Sequence, residues 1–169
     1  KKICMILMSI LILSSCSENI SKKNNDVKTD NAVSAEKSDV DIISESIMSD
    51  SLNADLYVQR ARLNLTNEKV SLAIRDINSA LSIDKKNIEA LLVLADVYYA
   101  LGDEDNILLT LNKANEYAPL DTRPIIKLSE LSFLQGNFRM AGAYVDKALE
   151  MDKYNPKAYY MRGMLAMTA

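Results

Sequence analysis

The side chains able to do chemistry in this sequence are few. Its 169 residues contain no histidine, so neither a Ser-His-Asp relay nor a Cys-His pair can be assembled, and an imidazole-bearing zinc site is excluded. The four glycines, Gly102, Gly136, Gly142 and Gly163, never form a G-x-G arrangement, which excludes a phosphate-cradling loop. The carboxylate run Asp103-Glu104-Asp105 could suggest a metal, but acids that open a helix complement its dipole, and that is the expected role. The pairs Tyr98-Tyr99 and Tyr159-Tyr160 could stack on sugar rings; here one member of each is expected in the core and the other outside. Twenty Lys and Arg against 23 Asp and Glu leave a charge of −3, with no basic excess for nucleic acid. No catalytic residue, metal or cofactor is expected, and the chain reads as a binder and not an enzyme.

The thiols belong to an address. Lys1 and Lys2 precede eleven residues, Ile3 to Leu13, of which ten are apolar. A membrane span needs about 20 apolar residues, whereas a short apolar run behind a positive start suits a secretory signal peptide. Leu13-Ser14-Ser15-Cys16 resembles the bacterial lipobox. The resemblance implies cleavage before Cys16 and acylation of its thiol, making residues 1–15 a lipoprotein signal peptide. Cys4 leaves with it, so the mature chain keeps neither a free thiol nor a disulfide. One acyl chain binds membranes only marginally, and lipoproteins similar to this one carry two or three. Ser17 in place of an Asp after the Cys implies, by the same resemblance, the outer membrane facing the periplasm, or the cell surface. Residues 16–38 lack helical or strand periodicity and carry too little apolar surface to offset ordering; they read as a flexible tether.

Beyond it the sequence repeats. The small residues Ala61, Ala95, Ser129 and Gly163 fall 34 positions apart, as do Ala73, Ile107 and Ala141, then Ala80, Ala114 and Ala148, and the large residues Tyr57, Leu91, Ile125 and Tyr159. Such a period signals stacked supersecondary units. Within a unit the spacing is helical, as in Ile74, Ile77 and Leu81. Gly102-Asp103 and Gly136-Asn137 place a C-cap glycine before an N-cap side chain, and Asn155-Pro156 an N-cap before a first-turn proline. Small residues let paired helices approach closely where they cross.

A 34-residue helix-turn-helix unit with these columns resembles the tetratricopeptide repeat (TPR). The stretches Asp76 to Asp84 and Pro156 to Gly163 carry the likeness best; Leu91 and Ile125 in the aromatic column, and Lys85 and Lys153 for the closing proline, depart from it. The resemblance implies an all-α fold, an α-solenoid of stacked antiparallel helix pairs in a right-handed superhelix. The expected organisation is a capping helix in 39–53, repeats at 54–87, 88–121 and 122–155, and the first helix of an incomplete fourth repeat at 156–169. Because that helix has no partner, Met161, Leu165 and the Gly163 face are expected to be uncovered. This suggests a longer protein, or burial against a partner or a second copy.

First helices of such repeats wall a concave groove. The expected lining is Val58, Arg62 and Leu65, then Leu92, Asp96 and Tyr99, then Ile126, Glu130 and Phe133, and finally Tyr160 and Met164, on the face opposite the small-residue column. This set suits an extended or helical peptide with apolar anchors and a few orienting charges. Repeat proteins that clamp a carboxylate terminus resemble one another in presenting Lys and Asn at these places, and Asp96 and Glu130 argue against that specificity. The expectation is a lipid-anchored scaffold of the bacterial cell envelope that binds a protein or peptide, with self-association possible through the open end. The alternative is the recognition module of a longer envelope protein or enzyme.

Overall fold

A computed structural model describes residues 37–168. The signal peptide, Cys16 and nearly all of the tether lie outside the described residues. Eight helices follow one another without a strand among the described residues: α1 (Asp39–Ser49), α2 (Ala54–Thr66), α3 (Val70–Ile83), α4 (Ile88–Leu101), α5 (Glu104–Tyr117), α6 (Thr122–Leu134), α7 (Phe138–Met151) and α8 (Pro156–Ala166). The starts of α2, α4, α6 and α8 lie 34 residues apart, and so do those of α3, α5 and α7. Each helix packs on the next, with the tightest pairs α2 on α3, α4 on α5 and α6 on α7. The result is an α-solenoid of antiparallel helix pairs, fronted by α1.

Local chemistry fixes the ends. Asn53, Asn87, Asp121 and Asn155 cap the first helices, each side chain accepting from a backbone N–H in the first turn, which satisfies donors the helix itself cannot. Asp103 and Asn137 cap α5 and α7, so the acidic run serves the α5 start. Within each repeat the turn passes through one left-handed residue: Glu68 (φ 60°), Gly102 (φ 69°) and Gly136 (φ 73°). Behind it the next N–H closes on a carbonyl five residues back, as from Lys69 to Asn64 (2.7 Å), Asp103 to Tyr98 (2.9 Å) and Asn137 to Ser132 (2.8 Å).

The core is a chain of small clusters, as expected when each repeat touches only its neighbours. Val58, Ala61, Ala73, Ile77, Ala80, Ala90, Val93 and Val97 join α2, α3 and α4. Leu92, Ala95, Ile107, Leu111, Leu128 and Leu131 join α4, α5 and α6, and Ile125, Ile126, Val145, Ala148, Leu149, Ala158 and Met161 join α6, α7 and α8. The small-residue column lies at the crossings: Ala61, Ala95 and Ser129 are buried, and the Ser129 hydroxyl donates to the Ala141 carbonyl at 3.0 Å across the α6–α7 pair. Gly163, with no second helix following it among the described residues, is exposed.

Two expectations fail at α8. Met161 is buried, packed with Ile125 and Ile126 of α6, because one neighbour suffices to cover that flank of the helix; Leu165 is half-buried and only the Gly163 flank is open. Tyr159 and Tyr160 are both exposed, whereas the Tyr98-Tyr99 pair splits into a half-buried and an exposed ring. In α4 the flank carrying Tyr98 packs against the cluster shared with α5; α8 has no such partner among the described residues.

Candidate functional site

A hollow opens where α4, α5, α6 and α8 converge. Its volume is about 390 Å³. Helix α4 contributes Ala95, Asp96 and Tyr99; α5 forms the floor with Ile107 and Leu111; α6 supplies Lys127, Glu130, Leu131, Phe133 and Leu134; and α8 closes one side with Tyr160, Met161 and Met164. The lining is mostly aliphatic and aromatic. Tyr99 and Tyr160 stand exposed at the rim, and Phe133 leans onto Phe138 of α7, ring centroids 5.4 Å apart.

The position of this hollow follows from one column of the sequence. Val93 and Met161 hold equivalent places in α4 and α8, and each is buried in the apolar seam against the preceding first helix. In α6 the same place is Lys127, whose ammonium donates to the Asp96 carboxylate of α4. An ion pair with a long stem replaces a close apolar seam. Accordingly α2 packs on α4 and α6 on α8, whereas α4 and α6 approach each other far less closely, and the hollow lies above the buried α5 side chains Ile107 and Leu111.

The sequence-derived lining divides cleanly. Asp96, Tyr99, Glu130, Phe133, Tyr160 and Met164 are brought together in the hollow. Val58, Leu92 and Ile126 are not: each is buried in the core. Helical geometry gives the reason. These residues precede the small column by three positions, which returns them to nearly the same face of the helix; they pack beside that column and not opposite it. Arg62 and Leu65 also fall elsewhere. Arg62 pairs with Glu89 at 2.5 Å and borders a separate depression with Ile42 and Ile43 of α1, and Leu65 packs on the first core cluster. The groove therefore belongs to the second, third and fourth units. Lys127 was missed by spacing alone, although a lysine in a column otherwise occupied by Val93, Met161 and Gln59 was the available signal.

Two polar networks lie outside the groove. In the first, Arg60 donates to both carboxylate oxygens of buried Asp76 (2.7 and 3.0 Å) and to the Ser44 hydroxyl (3.0 Å), while Asn64 adds a 3.0 Å bond to Asp76. It ties α1, α2 and α3 together. The hydrogen bonds to Asp76 hold the Arg60 guanidinium above its ordinary pKa. In the second, Glu89 accepts from Arg62 of the preceding repeat and from Arg123 of the following one. Arg123 also bonds Asp121 (2.7 Å), which holds the Asp121 carboxyl below its ordinary range. Both networks are structural bracing. Among the described residues no group of His, Cys, Asp and Glu is placed to hold a metal, and no helix is long and apolar enough to cross a membrane.

Comparison with solved structures places the fold among TPR proteins. A thermophilic TPR protein from Thermus thermophilus superposes with a TM-score of 0.68 at 16% identity, over 76% of this chain and 72% of that one. A tetratricopeptide repeat protein from Parabacteroides merdae matches with a TM-score of 0.62 at 22% identity over 75% of this chain, which spans half of that structure's length. The first TPR of Spaghetti (RPAP3), bound to the HSP90 peptide SRMEEVD, matches at 0.60 and 17% identity over 70% of this chain and 94% of that one. No family model matches the sequence, and no curated protein does either.

Proposed function

We propose that this chain is a peptide-binding module of the bacterial cell envelope, held to a membrane through lipid on Cys16, whose α4–α6–α8 groove receives an apolar peptide or helix from a partner protein. The observation that carries the reading is the 390 Å³ hollow. It is open, largely apolar, and rimmed by tyrosines whose rings offer contact area at low entropic cost. That a TPR of the same fold holds an HSP90 peptide supports a peptide as occupant. The terminus of that peptide is acidic, and the two carboxylates here, Asp96 and Glu130, disfavour such an end. The polar groups of the groove, one lysine and two carboxylates, suit orienting a bound peptide.

The lipobox-like Leu13-Ser14-Ser15-Cys16 supports lipid anchoring and Ser17 behind it the outer membrane, with the repeat array free on its polar tether to reach partners on the periplasmic side. Crosslinking of the anchored protein in membranes, followed by its recovery, tests the binding role. One partner should be captured by the wild type and lost when Tyr99 and Phe133 are both changed to Ala; capture that survives both changes would place the binding face elsewhere. Cys16→Ala should shift the protein from the membrane to the soluble fraction, and unchanged membrane retention would refute the anchor.

A further inference from the structure

Resting on the peptide-groove reading, we infer that the occupant presents a lysine or arginine to Glu130, flanked by apolar side chains. The charges facing the groove are three: Asp96 from α4, and Lys127 and Glu130 from α6; α5 and α8 bring apolar side chains and Tyr160 alone. Lys127 is committed to Asp96. Glu130, half-buried, makes no ion pair or side-chain hydrogen bond with any described residue, so the hollow carries one uncompensated negative charge set among apolar walls. A carboxylate that has surrendered part of its hydration gains most from a charged donor. The stem of a lysine or arginine would lie along the Leu131 and Phe133 walls with its head on Glu130. An acidic residue would meet two carboxylates and a lysine already engaged.

The test uses three blocked fluorescent hexapeptides, identical except at a central position holding lysine, norleucine or glutamate between leucine and phenylalanine residues. Anisotropy titrations against the full chain should rank lysine over norleucine by about tenfold, with glutamate weakest, and the gap should shrink as salt is raised. Glu130→Gln should erase the lysine advantage, bringing the lysine and norleucine peptides within about twofold of each other, and Glu130→Lys should reverse the order in favour of glutamate. Equal binding of the lysine and norleucine peptides, unaffected by Glu130→Gln, would overturn the inference while leaving the groove intact as an apolar site. Failure of all three to bind would overturn both readings. A dimer in sedimentation equilibrium that the lysine peptide dissociates would identify a second copy as the occupant and overturn the partner-protein reading.

Discussion

At the scale of single residues, the repeat is enforced by positions that backbone geometry constrains. The left-handed turn column holds Gly102 and Gly136 but also Glu68, and a side chain there costs about 1 kcal/mol relative to Gly. Glu68→Gly should therefore raise Tm by a few degrees, and Gly136→Ala should lower it by a similar amount; thermal denaturation by circular dichroism checks both. The glycines announced two turns in the sequence, whereas Glu68 showed itself only by its 34-residue distance from Gly102, because residue type conceals an unusual φ. Asp121 gives a pH prediction. Its folded pKa is depressed by Arg123, so its contribution is present above the unfolded value of about 4 and is lost as pH falls through the folded value. Asp121→Asn keeps the helix cap but loses the ion pair with Arg123. The Tm deficit of this variant should be largest near neutrality and close below about pH 4; a variant as stable as the wild type at neutral pH would assign Asp121 to capping alone.

At the scale of elements, helices and their pairing were legible because small residues, apolar stripes and caps all repeat with one period. The bracing of α1 was not. Asp76 lies in the α3 stripe with Ala73, Ile77 and Ala80 and is buried there, yet nothing in its neighbours names Arg60, sixteen residues upstream, as its partner. Arg60→Leu strands that carboxylate and should cost about 3 kcal/mol, whereas Arg60→Leu with Asp76→Leu should recover most of the loss. Urea unfolding of the single and double variants separates these outcomes. The α4–α5 crossing offers a harsher test of the pairing. Ala95 is nearly inaccessible, and Ala95→Arg should destabilise by several kcal/mol through overpacking and a buried charge; an unaltered melting curve would contradict the packing of that pair.

At the scale of the whole molecule, the stack is a row of small cores, and the hollow opens where one seam is loosened. Spacing located the groove-facing helices but misplaced Val58, Leu92 and Ile126, because counting turns from the small column does not show which flank the neighbouring repeat covers. The hollow depends on Lys127 standing where Val93 and Met161 close the neighbouring seams. Lys127→Met should draw α6 toward α4, lift Tm and weaken peptide binding at least tenfold, while Asp96, 40% exposed at its side chain, is left to water at little cost. The most direct test of the central claim is methyl NMR of the methionines during titration with the lysine hexapeptide. Met161 and Met164 line the hollow, whereas Met140 and Met151 of α7 do not. The account predicts shifts confined to Met161 and Met164 that saturate together; shifts at Met140 or Met151, with those two signals unmoved, would contradict it.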